Sequence, residues 1–99
     1  MQNMLDKCYV KSDKVVFRKI ADEFVLVPIH KEAVDLESIF SFNETAARMW
    51  ELMDGKKTGF EIAKTVAEEF KQETGEVEKD LMEFIAKLKK LNFVLEAQL

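Results

Sequence analysis

Apolar positions recur along the chain with two different periods, and the change falls near residue 43. Val15–Ile20 (VVFRKI) and residues 23–30 (EFVLVPIH) are rich in β-branched and aromatic side chains, the composition of strands that fit a half-buried pleated surface. Ala21-Asp22 separates the two runs, so the spacing predicts a hairpin. Pro28 has no N–H to give a ladder and assigns the end of the second strand to an edge or a bulge. Residues 31–35 read as a polar loop. Residues 37–42 (ESIFSF) read as a third strand, with Ser38, Phe40 and Phe42 on one face and Glu37, Ile39 and Ser41 on the other. Two aromatics in register predict that the Phe40/Phe42 face points inward.

After residue 43 the period becomes helical. Ala46, Met49, Trp50 and Met53 follow i, i+3, i+4, i+7. Asn43 stands just before them, where its side-chain oxygen can accept from the otherwise orphaned N–H of Thr45 or Ala46. Asp54-Gly55 predicts the stop, with Gly55 in the left-handed position past the helix end. Thr58 and Glu61 have the spacing of a capping box and open a second helix with the stripe Ile62, Ala63, Val66, Ala67, Phe70. Thr74-Gly75 breaks that pattern and can cap a third helix over about residues 76–91. Its core stripe is Val77, Leu81, Phe84, Ile85, Leu88 and Leu91. Acid leads (Glu76, Glu78, Asp80) and base trails (Lys87, Lys89, Lys90), an order that suits the helix macrodipole. Asn92 is the expected left-handed terminator, and residues 93–95 then pack back or add a short extended piece. The expected architecture is α+β: three N-terminal β-strands followed by three α-helices, the last two forming a helix-turn-helix in a winged-helix-like layout.

Length and composition narrow the function. Ninety-nine residues, 47% apolar and 34% charged, are expected to form one globular domain with one modest core. Residues 1–14 are polar with scattered apolar anchors and read as an N-terminal arm or a short, weakly held element, leaving 15–99 as the domain. There is no apolar run of membrane-spanning length, and the N-terminus lacks the apolar core of a secretory signal. A single cysteine, Cys8, cannot form an internal disulfide, and a reducing cytoplasm is the expected compartment. That weighs against Asn43-Glu44-Thr45 as a glycan acceptor, which needs a secretory route. The net charge is -4, and thirteen of the fifteen basic residues are lysines, with Arg18 and Arg48 the only arginines. Nucleic-acid readers show a basic balance and rely on arginine for base contacts.

Candidate chemistry is sparse. The chain has one histidine, His30, and one cysteine, and nothing local activates Cys8 as a thiolate. Too few soft or imidazole ligands are present for a metal site, and its three glycines form no phosphate-binding loop. No catalytic residue, metal or cofactor is expected. Trp50 reads as core, and Glu68-Glu69 as a solvated helix face. Met82 and Ala86 are apolar positions outside the third helix's core stripe, flanked by Lys79, Glu83, Lys87 and Lys90. They read either as a widened core stripe or as the floor of a groove, where methionine adapts to varied side chains. If residues 37–42 are also a sheet edge, an extended peptide could pair with them.

The stretches VLVPI, FNETAARMWELMDGKKT, EIAKTVAEEF and EVEKDLMEFIAKLKKLNFV resemble the PqqD family, the pyrroloquinoline quinone biosynthesis protein D group, over about residues 15–95. The most specific part is Asn43-Glu44-Thr45-Ala46, followed by Trp50-Glu51-Leu52 and Asp54-Gly55. Asp80-Leu81 and the closing Leu88 and Leu91 match as well. The resemblance implies a small, non-catalytic winged-helix domain, also called a RiPP recognition element. Such domains bind the leader segment of a ribosomally made precursor peptide and present it to a modifying enzyme, commonly a radical SAM enzyme. In this family the leader adds as a strand beside the third β-strand and packs on the third helix. Carried onto this chain, the strand is Glu37, Ser38, Ile39, Phe40, Ser41 and Phe42. The spare apolar pair suggests Lys79, Met82, Glu83, Ala86 and Lys87 for the helix face. The alternatives are a DNA-binding winged-helix regulator and an accessory subunit that docks on an enzyme without peptide affinity. No membrane partner is expected.

Overall fold

The computed structural model describes residues 4–29 and 40–97. A 3-10 turn (Met4–Asp6) leads into β1 (Cys8–Lys11), β2 (Val15–Ile20), β3 (Glu23–Pro28) and β4 (Phe40–Phe42). Helix α1 (Glu44–Leu52) follows, then β5 (Asp54–Thr58), α2 (Gly59–Phe70), α3 (Thr74–Lys90) and β6 (Val94–Glu96). The fold is mixed α+β, with N-terminal strands followed by three helices. The strands form two antiparallel sheets of three, in the orders β2-β3-β4 and β5-β1-β6.

The first sheet contains the predicted hairpin. Val15 pairs with Pro28 and Ile20 with Glu23, so Pro28 ends its strand, where a missing N–H costs least. Ala21 turns the chain at φ 56. The described part of the predicted third strand is Phe40–Phe42; Glu37, Ser38, Ile39, His30 and the 31–35 loop lie outside the described residues.

The second sheet corrects the reading of the N-terminus. An arm or weakly held element was expected there, but β1 is the central strand of this sheet. Leu5 is 1% exposed and Tyr9 0%. The Tyr9 hydroxyl donates to the Met4 carbonyl at 2.7 Å, so burial of the ring leaves no orphaned polar atom. Burial pushes the Tyr9 phenol pKa up, and the nearby Glu96 carboxylate adds to the shift. Only four residues long, β1 is preceded by Lys7 and ends in Lys11, and these lysines hide its alternation. Lys7 reaches Glu96 at 3.1 Å, and Lys11 reaches the Glu51 carbonyl at 3.2 Å, so both aliphatic stems lie along the structure with their ammonium heads outermost.

The α1 exit also departs from expectation. Met53 is the C-cap and the chain runs straight into β5, so Gly55 is not the helix terminator. Gly55 sits at φ 81 where the β1–β5 register shifts between Cys8 and Val10. A Cβ there would fall 2.5 Å from Val10 Cγ1. The bulge therefore needs glycine for both its backbone angle and its close approach.

Three of the expected caps form, while the one expected from Thr74-Gly75 does not. Asn43 Oδ1 accepts from Ala46 N–H at 2.9 Å. Thr58 and Glu61 exchange side-chain and backbone bonds at 3.2 and 2.9 Å. At the end of α3, Asn92 adopts φ 61, its N–H donates to the Lys89 carbonyl, and Phe93 N–H reaches back to Leu88; this is a Schellman closure with Asn in glycine's place. Helix α3 starts two residues before the expected point, at Thr74, and Glu73 precedes it without a side-chain cap. The α2–α3 turn is made by Lys71, left-handed at φ 55. Ile62, Val66, Val77, Leu81, Ile85 and Leu88 are fully buried between the two helices and the sheets.

Candidate functional site

Strand β4 is the terminal strand of its sheet, bonded on one side to β3 in the register Phe24–Phe42, Val25–Ser41, Leu26–Phe40. No further strand covers its other side among the described residues. Alternation along β4 leaves Ser41 exposed and turns the Phe42 ring into an aromatic cluster. Its centroid lies 6.0 Å from Phe17, 6.4 Å from Phe24 and 5.5 Å from Phe84 of α3, within the range where tilted rings attract. The Phe42–Phe84 contact ties the terminal strand to the third helix.

An open cleft of about 360 Å³ lies between these two elements. Ser41 and Phe42 line it from β4; Thr45, Ala46 and Met49 line it from α1. Asn43 governs that arrangement: by capping α1 immediately after β4, it turns the chain so that one face of the first helical turns looks into the cleft. The opposite wall is Asp80, Glu83, Phe84 and Lys87 of α3, with Gln72 at the end near the α2–α3 turn. Positions 80, 83, 84 and 87 are spaced i, i+3, i+4, i+7, so they form one stripe on the helix. The floor is apolar, from Phe42, Phe84 and Met49. The rim carries two carboxylates, one ammonium and neutral polar groups.

Elsewhere, two groups of surface charges are tied together by hydrogen bonds. Arg48 grips Glu69 through Nε–Oε1 at 2.8 Å and Nη2–Oε2 at 3.0 Å, fastening α1 to α2. The guanidinium hydrogen bonds hold the Glu69 carboxyl below its usual value. Lys57 and two backbone N–H groups hold Asp54 well below the usual carboxylate range. Neither pair lines the cleft. The cleft side chains offer apolar contact, hydrogen bonds and charge, and no histidine or cysteine is among the described residues that line it. Cys8 is half-buried in β1, in the other sheet.

A terminal strand followed by a capped helix, with α3 across a cleft, is the setting in which comparison with known proteins becomes informative. The family model described as Coenzyme PQQ synthesis protein D (PqqD) matches residues 23–94. The chain belongs to the PqqD family. A solved structure, "TbiB1 in Complex with the TbiA(beta) Leader Peptide", is similar to this PqqD-family chain at 27% identity and a TM-score of 0.65, covering 85% of this chain and 92% of that one. No curated protein matches it significantly. Among the described residues, no helix is long and apolar enough to cross a membrane.

Within this PqqD-family fold, the residues singled out from sequence are only partly brought together. Ser41, Phe42, Glu83 and Lys87 meet in the cleft. Phe40 is in β4, opposite Leu26. Glu37, Ser38 and Ile39 lie outside the described residues. Lys79, Met82 and Ala86 do not line the cleft. At about 100° per residue, Met82 lies on the far flank of the α3 core stripe, half-buried and packed against the core. Met82 is therefore packed against the core margin, and Met82 and Ala86 lie outside this cleft. Sequence reading missed Asp80 and Phe84 as cleft residues, with Gln72, Thr45, Ala46 and Met49. Phe84 serves the core and the cleft together at 6% exposure, so periodicity assigned it to the core alone. The stripe Asp80, Glu83, Lys87 beside it was the available signal.

Proposed function

We propose that this chain captures an extended segment of a precursor peptide as an added strand on β4, packs it against the Asp80–Lys87 side of α3, and presents it to a modifying enzyme. A radical SAM enzyme is the partner class the family suggests, and the cytoplasm the compartment. The observation that carries the reading is the terminal strand β4 facing the α3 stripe across one open cleft. Strand addition draws affinity from main-chain hydrogen bonds and selectivity from pockets for alternate side chains. The similarity to TbiB1, solved with a leader peptide, supports the same use here. Protein role and chemistry are separate on this reading: the chain binds, and the enzyme modifies.

The acidic first half of α3 supports peptide rather than nucleic acid. Glu76, Asp80 and Glu83 are exposed along it, and phosphates would be repelled. The test is an NMR titration with the leader segment of a candidate precursor peptide. Amides of Phe40–Phe42 and of residues 80–87 should shift together. Shifts confined to the β5-β1-β6 sheet, or retention of random duplex DNA in a gel at low salt, would overturn the assignment.

A further inference from the structure

The α3 wall of the cleft has a sign at each end. Asp80 and Glu83 lie on one side of Phe84, and Lys87 lies one turn beyond on the other. All three charges are exposed. Arg48, Glu51, Glu69, Lys7, Lys89 and Glu96 all form ion pairs within the chain, but Asp80, Glu83 and Lys87 take part in none among the described residues. Three charges of ordered sign, without an ion-pair partner among the described residues, therefore border the apolar spot where Phe42 and Phe84 meet.

The spacing suits an extended chain. Asp80 to Phe84 rises about 6 Å along the helix, and Phe84 to Lys87 about 4.5 Å, with a long lysine able to reach further. Same-face residues of a strand are about 6.7 Å apart. An apolar side chain resting on Phe42 and Phe84 would thus place its i−2 and i+2 neighbours beside Asp80/Glu83 and Lys87.

We propose that the cleft reads charge order in its peptide: an apolar residue with a basic side chain two positions to one side, facing Asp80 and Glu83, and an acidic side chain two positions to the other, facing Lys87. This rests on the strand-addition reading above. Because the wall is polar end to end, it also fixes which way the peptide lies, a specificity that backbone pairing alone does not supply. Rim charges of this kind act through complementarity and repulsion of wrong partners.

The test is display selection of a random peptide library on the intact chain, run in parallel on the triple variant Asp80→Lys, Glu83→Lys, Lys87→Glu. These positions are exposed, so the variant should keep its helical circular dichroism and its unfolding midpoint. Peptides enriched on the parent should carry base and acid flanking an apolar residue in one fixed order, and the variant should enrich the opposite order. A selected peptide should bind its own protein about fivefold to tenfold more tightly than the charge-swapped one, as expected for two exposed pairs turned from attraction to repulsion. The preference should shrink as salt rises. Enriched peptides that shift β4 amides but show no charge order, or an order unchanged in the variant, would overturn this proposal and leave strand addition standing. Failure of the parent to enrich any peptide that shifts β4 amides would overturn both.

Discussion

The two sheets of this small protein treat their polar groups in opposite ways. Around β5-β1-β6, interactions close on themselves. Tyr9 is buried with its hydroxyl bonded, Lys11 reaches the Glu51 carbonyl, and Glu96 accepts from both Lys7 and Lys89. Around β2-β3-β4, a terminal strand faces an open cleft whose rim charges have no ion-pair partners among the described residues. A chain of this size has little stability to spare. It concentrates rigid packing in one sheet and leaves the other able to form contacts with something else. The comparison makes stability and binding separable by position.

The largest expected effect comes from emptying the closed side. Tyr9→Ala should lower the unfolding free energy by about 3–5 kcal/mol, as for other large aromatic-to-alanine changes in cores. That is a large part of the roughly 5–15 kcal/mol typical of a domain. Tyr9→Phe isolates the hydroxyl bond to Met4 and should cost about 1 kcal/mol. Urea unfolding measures both. A loss below about 1 kcal/mol for Tyr9→Ala would return residues 4–14 to the status of a loose arm.

A middle-sized effect should split the two flanks of α3. Met82→Glu places a carboxylate at a half-buried position against the core and should cost about 1–3 kcal/mol of stability, with peptide affinity unchanged in the folded fraction. Thr45→Trp, which fills the cleft from α1, should do the reverse: affinity falls at least tenfold while the unfolding midpoint stays near the parent's. Calorimetric titration and thermal melts on the same samples decide it. Loss of peptide binding by Met82→Glu at unchanged stability would move the working surface to the other flank of the helix.

The elements that announced themselves were those whose local signals agree. The hairpin has β-branched runs on either side of a two-residue turn. Asn43, the Thr58/Glu61 box and Asn92 each form the cap that their side-chain chemistry favours. The second sheet was not legible for a physical reason. β5 (DGKKT) has no apolar alternation, and it is a strand only because β1 pairs with it across a bulge that requires Gly55. Such pairing is tertiary and leaves no periodic trace. The cleft was half legible. Ser41, Phe42, Glu83 and Lys87 were within reach of the strand-and-helix argument, but Phe84 was hidden in the core stripe it also serves. Met82 was misleading because a spare methionine reads alike as groove floor and as core margin.

The smallest effect lies in the ion pairs that seal the closed side, and its sign is set by proton linkage. Hydrogen bonds from Lys89 and then Lys7 hold the Glu96 carboxyl below the ordinary glutamate value of 4.5. A carboxyl whose pKa is depressed on folding binds its proton more readily in the unfolded chain. Its stabilisation is therefore fully present above the unfolded value and is lost as pH falls through the folded one. Glu96→Gln should lower the melting temperature slightly at pH 7, and the gap from the parent should close as pH drops below 4.5. Both lysines are partly exposed, so the gap should also narrow in high salt. The cleft side offers the contrast: Glu83→Gln, which removes no intramolecular ion pair among the described residues, should leave the melting temperature at pH 7 near the parent's. Equal losses of melting temperature at pH 7 from the two substitutions would mean that the division between a self-satisfied sheet and an open one does not extend to their charges.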